Sequence, residues 1–356
     1  MLTIVEPAGF GRLEGSGERG NVVALSELCK AVCIWPCADR RPPPALIAAV
    51  PRKEAARSHR VAVDREHGRI RFACQDWMLS GRAMAARLCA LHEVLAGVPA
   101  QCLPLLAEIS DGEDSEAGLL SFCSRDPGAI LIPDHMFVLS GGYREHRALA
   151  RANATSWDAR GDWIVWRGST HGVGTITKPG LSSDDPDLIA RVRLCVALRD
   201  TPQVDAKLFR VTQSENVALD TERLARAGIL GDYLSPLTWH GLKFAIDIDG
   251  NSNSWSTLFL RLLMGCCVLK VASGPGYRQW YYDALEPWLH YVPVKCDLSD
   301  LNERIAWCRS NLAACREIAA RGQEFALARD LASEVAAAVG CVHDAHRSGK
   351  LRRMAP

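Results

Sequence analysis

The feature that most constrains this chain is the run from Lys243 to Asp300. Phe244 to Ile248 forms an apolar strand that empties into the polar turn Gly250-Asn251-Ser252-Asn253-Ser254. A helix carrying Leu258, Leu262 and Leu263 follows, and after it a second apolar strand from Val268 to Val271. Strand, turn, helix, strand is the crossover unit of a parallel sheet, and ligands bind where such strands end. The expected fold is therefore α/β, and the turn is the first place to look for a site.

Size and charge bound what that site can serve. A chain of 356 residues, 48% of them hydrophobic, buries enough core for two domains. Lys+Arg 42 against Asp+Glu 41 leaves a net charge of +1, so no global field draws in nucleic acid or an anionic membrane. An anionic ligand must be met by local groups. The start, Met1-Leu-Thr-Ile-Val-Glu-Pro7, lacks the basic and apolar regions of a secretory signal, and no apolar run reaches membrane-spanning length. Fourteen scattered cysteines read as reduced thiols packed in the core. Together these predict a cytoplasmic location, with peripheral membrane contact through the basic tail Arg347, Lys350, Arg352 and Arg353 left open.

In chain order, Gly15, Gly17 and Gly20 spell a dinucleotide fingerprint without the strand that should precede it, and Cys29, Cys33 and Cys37 lack a second ligand pair for zinc. Arg60–Val63 and Arg69–Phe72 read as a hairpin about His67-Gly68. A helix over Arg82–Leu95 leads to a strand, Leu103–Ile109, which stops at Ser110-Asp111-Gly112-Glu113-Asp114. A carboxylate on a glycine turn after a buried strand suits a general base, and equally suits a solvated helix start. Trp163–Trp166 is a strand ending in Arg167-Gly168-Ser169-Thr170. That ending fits either a phosphate cradle or an arginine salt-bridged at a strand end. Near the far end, Asp300 and Glu303 predict a capping box. Leu301, Ile305, Cys308, Leu312 and Cys315 mark one face of a long helix interrupted by Gly322, and a last helix runs from Glu324 to Val339.

The motifs Lys243-Phe-Ala-Ile-Asp-Ile-Asp-Gly-Asn-Ser-Asn-Ser-Trp255, Val268-Leu-Lys270, Trp280-Tyr-Tyr282, Pro287-Trp-Leu-His-Tyr-Val-Pro-Val294 and Asp297-Leu-Ser-Asp-Leu301 resemble the CAP10 domain of glycosyltransferase family 90. That family includes Rumi-type protein O-glucosyltransferases and bacterial lipopolysaccharide-modifying enzymes. The resemblance runs from about Trp163 to Phe325 and is weak before Leu103. It implies a GT-B architecture of two Rossmann-like halves facing a cleft, with the last helix crossing back to the first. The implied division is an acceptor-side domain over residues 1–155, a donor-nucleotide domain over 156–325, and a helix and basic tail over 326–356.

It also implies an inverting transfer from a UDP-sugar, of glucose or xylose, to a cell-surface glycan or lipopolysaccharide, with no obligatory metal. On this resemblance Asp111 is the catalytic base, with Asp114 in reserve. Arg167, Gly168, Ser169, Asp249, Gly250, Asn251, Ser252, Ser254 and Lys270 are the donor-binding residues. Relatives carry an arginine just after the glycine turn where this chain has Ser256-Thr257-Leu258, so Arg261 or Lys270 is the expected substitute. Two other readings stand beside this one. Asp247 and Asp249 form an Asp-x-Asp that can converge on a divalent ion, which would make the chain a metal-dependent transferase. Loss of the loop arginine would fit a non-catalytic nucleotide-sugar or glycan binder.

Overall fold

The computed structural model describes residues 22–24, 46–50, 59–79, 82–152 and 155–352. The glycine motif at Gly15, the cysteines at 29, 33 and 37 and the proline run at Pro42 lie outside the described residues.

The front sheet comprises β1 (Val22–Ala24), β2 (Leu46–Val50), β3 (Arg60–Glu66), β4 (Arg69–Gln75), β5 (Leu105–Glu108), β6 (Leu120–Ser121) and β7 (Ile130–Leu131). Its order is β1-β2-β4-β3-β5-β6-β7. β3 and β4 form the expected antiparallel hairpin, with Val63 opposite Phe72. His67 and Gly68 take φ 49° and 77°, the pair of left-handed residues a tight hairpin turn needs. Helix α1 (Arg82–Leu95) presses Leu88, Leu91 and Val94 onto this sheet, each fully buried. The hairpin and the antiparallel β3–β5 pairing make this a mixed sheet. Parallel pairing joins β2 to β4 and runs through β5, β6 and β7. The short helices α2 (His135–Leu139) and α3 (Arg144–Ala152) lead out of the front half.

The rear sheet is parallel throughout. It holds β8 (Gly161–Ser169), β9 (Val204–Arg210), β10 (Leu242–Asp247), β11 (Cys267–Val271) and β12 (Val292–Val294), in the order β12-β11-β10-β8-β9. Phe244 in β10 lies opposite Ile164 on one side and Cys267 on the other. The run Phe244 to Asp247 is at most 1% exposed, because helices cover both faces of such a sheet. These are α4 (Ala190–Leu198), α5 (Val217–Arg226) and α6 (Ser256–Leu263). Strand order reverses between β8 and β10, so their carboxyl ends diverge and leave a crevice.

Three helices close the chain: α7 (Leu301–Ser310), α8 (Leu312–Ala328) and α9 (Leu331–Arg347). α8 adds Cys315, Ile318 and Ala319 to the rear core, whereas α9 adds Ala338, Val342 and Ala345 to the front core. The last helix therefore crosses back, as the GT-B-type arrangement requires. Among the described residues no helix is long and apolar enough to cross a membrane.

Several local expectations are corrected. The long helix breaks at Asn311 and again at Arg329, and Gly322 continues it. A side chain at Gly322 would stand 2.9 Å from the His290 carbonyl oxygen, so this glycine serves close packing. Leu312 is 43% exposed and so leaves the predicted apolar face. Asp300 forms no capping box; it accepts from the Lys295 amide at 2.9 Å and the Arg304 Nε at 3.1 Å. Cys123, Cys195, Cys266, Cys267, Cys296, Cys308, Cys315 and Cys341 are free thiols, but Cys89 is disulfide-bonded, which departs from the all-reduced expectation. In the basic tail Arg347 pairs with Asp344 and Arg352 with Glu116, so both charges are already matched within the chain.

Candidate functional site

The rear wall of the crevice is built where β10 ends. Asp247 is fully buried, and neither of its carboxylate oxygens has a hydrogen-bond partner in the protein; the Lys270 Nζ stands 3.7 Å away. Parallel pairing sets these two residues side by side. Lys270 also lies over the Tyr282 ring, 4.5 Å from its centroid. Asp249, one residue beyond Ile248, likewise has both oxygens unpaired. Burial pushes its carboxyl up to about 6 and Asp247 adds to the rise, against the pull of Lys270, the nearby Ser273 hydroxyl and Arg191. Ser273 is close enough to act on this charge but does not meet hydrogen-bond geometry.

The turn that follows repeats the pattern. Ser252, Asn253 and Ser254 are 2%, 2% and 8% exposed, yet Ser252 Oγ, Asn253 Nδ2 and Ser254 Oγ find no protein partner. An unsatisfied buried polar group costs about 1–3 kcal/mol. Several collected at a switch point mark a surface shaped to be completed by something other than the chain itself. The first turn of α6 begins immediately after them, with its Thr257 amide donating to the Ser254 carbonyl at 3.2 Å.

Arg191, from α4, clamps the two strand ends together. It donates from Nε to the Asp249 carbonyl at 2.9 Å and from Nη1 to the Ser169 carbonyl at 3.2 Å. A Cβ on Gly250 would lie 2.9 Å from Arg191 Nη2 and 3.3 Å from the His171 Cβ, so only glycine permits this approach. Ser169 Oγ is hydrogen-bonded to His171 Nδ1. His171 is held below its ordinary value first by burial and then by Arg191 and Arg210, while Asp111 acts in the opposite sense.

The front wall carries that Asp111. It follows β5 on a turn where Gly112 has φ +99° and abuts the Cys123 carbonyl, so the backbone there is fixed. Arg87 of α1 donates to the Ile109 carbonyl at 2.7 Å and to one carboxylate oxygen of Asp111. The other oxygen is left free, and the Asp111 side chain is 27% exposed. The Arg87 guanidinium also sits 5.2 Å from the ring of Trp255, which enters from the rear turn and packs against the front core. Trp255 adopts φ 51°, an uncommon conformation for a bulky residue, to make that reach. Cys123 joins the walls: burial pushes its thiol up to about 12, Asn253 and Ser252 pull it down, and both Asp249 and Asp111 push it further up. Asp111, Ser252, Asn253 and Asp249 therefore all act on Cys123.

Not every expected residue is there. The Arg167 guanidinium is taken by the Asp205 carboxylate at 2.5 Å, the Asp205 carbonyl at 2.8 Å and the Asp232 carbonyl at 3.0 Å. This is the salt-bridged alternative, not the phosphate cradle. Gly168 has the Trp166 ring where a Cβ would be, within 2.4 Å, so it accommodates that ring and opens no path to a ligand. Arg261 stacks 3.3 Å above Trp239 and does not replace the absent loop arginine. Asp114 is half exposed beside His59, outside the crevice. Ser169, Asp249, Gly250, Ser252, Ser254 and Lys270 do line or shape the rear wall, and Asn251 lies in the same turn, half-buried. Arg191, His171, Arg87 and Cys123 were missed. The one available signal was Arg191, a cation set among the buried Leu188, Ile189 and Val192.

Unpaired buried polar groups at the reversal of a parallel sheet mark the candidate site of this α/β protein. The chain belongs to glycosyl transferase family 90, whose model matches residues 115–337, and as a member is classed as a glycosyltransferase. Asp111 and Arg87 lie ahead of the matched segment. Among similar proteins, Uncharacterized protein 035R of Invertebrate iridescent virus 3 is 46% identical over 26% of this chain and 8% of its own length. Human Protein O-glucosyltransferase 3 is 40% identical over 64% of this chain and 41% of its own. The chain thus spans less than half the length of each of these relatives. The crystal structure of Anabaena Alr3699/HepE in complex with UDP-glucose overlays with a TM-score of 0.34 at 13% identity, covering 58% of this chain and 52% of that one, too loose a likeness to bear on the site.

Proposed function

We propose that this chain is an inverting glycosyltransferase that moves glucose from UDP-glucose to an acceptor hydroxyl, with Asp111 as general base. The observation that carries the reading is the set of unpaired buried groups at Asp247, Asp249, Ser252, Asn253 and Ser254, opposite a carboxylate with one free oxygen. Family membership supports sugar transfer, and the names of the O-glucosyltransferase relatives support glucose and a protein hydroxyl over the glycan or lipopolysaccharide acceptor.

In the proposed step the free oxygen of Asp111 takes the proton as the acceptor hydroxyl attacks the anomeric carbon from the face opposite the diphosphate. Charge developing on the leaving diphosphate is met by the hydroxyls of Ser252 and Ser254 and the Asn253 amide. Lys270 supplies the cation. Its amine stands 3.7 Å from Asp247, so that carboxylate already has a positive charge beside it, which favours the metal-independent reading over the Asp-x-Asp one.

The deciding experiment is transfer and hydrolysis with UDP-glucose and UDP-xylose, with and without EDTA, with the product anomer read by NMR. Inverted product formed in EDTA is expected. Turnover abolished by EDTA and restored by Mn²⁺ would install the metal enzyme, and donor binding without any turnover would install the binder.

A further inference from the structure

We propose that Cys267, Cys308 and Cys315 form a buried three-thiolate site for a thiophilic cation of the zinc and cadmium class, independent of the sugar-transfer crevice. The three come from β11, the last turn of α7 and the first turn of α8. Each is fully buried, and their sulfur atoms all lie within 4.8 Å of one another. Three sulfurs bound to one such ion at about 2.3 Å stand roughly 4 Å apart, so only a small contraction is needed.

The helix break explains how they meet. Cys308 and Cys315 are seven residues apart, and in an unbroken helix that spacing separates them by about 10 Å along the axis. Asn311, at φ −130° and ψ 48°, interrupts the helix between them and folds the second cysteine back toward the first. The Cys315 thiol then points at the Cys308 carbonyl, 3.6 Å away.

The ligand chemistry selects the ion. Among the described residues the cluster holds sulfur alone, with no carboxylate or imidazole, which suits soft ions and excludes magnesium and calcium. Binding forms three metal–sulfur bonds, and each thiol that was still protonated releases its proton to solvent. The second group of this kind, His59 with Glu108 and Asp114, is less suited. Its Glu108 already accepts from the Ser110 amide and the Ser121 hydroxyl, and Asp114 is exposed.

The test is titration of the reduced full-length chain with Cd²⁺, read by the ultraviolet thiolate-to-cadmium charge-transfer band, by proton release and by the thermal midpoint. Wild type should bind one more equivalent than Cys315→Ser or Cys308→Ala, and its midpoint should rise with Cd²⁺. Cys195→Ser, a buried thiol outside the cluster, should behave as wild type. Should Cys315→Ser fail to fold, Cys308→Ala and Cys267→Ala carry the same comparison. A band of equal intensity in wild type and all cluster variants, or none in wild type, overturns the proposal.

Discussion

The two walls of the crevice are built in opposite ways. On the front wall the Asp111 turn is held from within the chain: Arg87 holds one carboxylate oxygen, Ser110 Oγ accepts from the Gly112 amide, and Gly112 locks the turn. On the rear wall Asp247, Asp249, Ser252, Asn253 and Ser254 are buried with side-chain atoms that have no hydrogen-bond partner among the described residues. A wall satisfied in advance orients a group and does not change on binding. A wall left unsatisfied keeps its interaction energy for a ligand. Base and donor site are thus separated by design principle as well as by sheet, and substitutions on the two sides should have different signatures.

The largest effect is expected on the front wall. Asp111→Asn keeps the size and the Arg87 contact but removes the proton acceptor, so transfer should fall roughly 10²- to 10⁴-fold. UDP-glucose affinity, measured calorimetrically, should stay within a factor of two or so of wild type. Weaker donor binding in this variant would mean that the two walls are not separable. Arg87→Met comes next, because the side chain packs between Asp111 and Trp255 without touching the reacting atoms. We expect kcat to drop on the order of 10-fold to 100-fold with the donor KM nearly unchanged, and Arg87→Lys to recover part of the loss. A fall in folding stability with kcat intact would reduce Arg87 to a packing residue.

On the rear wall the sign of the stability effect is the test. Ser252→Ala removes a buried hydroxyl that has no partner, so the unliganded protein should be as stable as wild type or slightly more so, by up to about 1 kcal/mol. Donor affinity should fall roughly 10-fold, the worth of about one hydrogen bond to a charged group. Thermal melts with and without UDP-glucose read both quantities in one experiment. A variant less stable without ligand would show that Ser252 has a structural partner after all.

How much of this was legible in the sequence follows the same division. The rear sheet announced itself because parallel strands are buried on both faces: Phe244–Ile248 and Val268–Val271 are apolar runs each interrupted by one charged residue, Asp247 and Lys270, and the glycine-led turn between them could be read directly. Asp111 was readable as a carboxylate ending a strand. Arg167 misled because a strand-end arginine looks the same whether its partner is a phosphate or a carboxylate, and Asp205 lies 38 residues away on a neighbouring strand. Arg191 and Arg87 were invisible for a related reason. Each acts through backbone carbonyls that only the folded register brings near, and no local spacing encodes such a contact. The break at Asn311 was missed because an apolar face shared by Leu301, Ile305 and Cys308 continues in pattern to Cys315 although the backbone does not.

The smallest predicted effect, and the most specific to the unsatisfied wall, is a pH dependence of donor affinity. Asp249 has its carboxyl raised to about 6, chiefly by burial, with Lys270, Ser273 and Arg191 pulling the other way and Asp247 adding to the rise. Because its folded value lies above the unfolded one, the carboxyl opposes folding when ionised, and that penalty is relieved as pH falls from about 6 toward 3.8. Stability alone cannot isolate it, since Asp134 is also raised to about 6. His135 and His92 are lowered to about 3 and about 4, and both cost stability as acid is added. Binding can isolate it. The diphosphate of a nucleotide sugar stays ionised across this range, so the charge that Asp249 gains is set directly against it. UDP-glucose should therefore bind more weakly as pH rises from 5 to 7, by a factor on the order of ten or less. In Asp249→Asn the affinity should be flat with pH and close to the acid limit of wild type. A slope that survives the substitution would move the titrating group elsewhere, and His171, beside Gly250 and within reach of Asp111, would be the next side chain to replace.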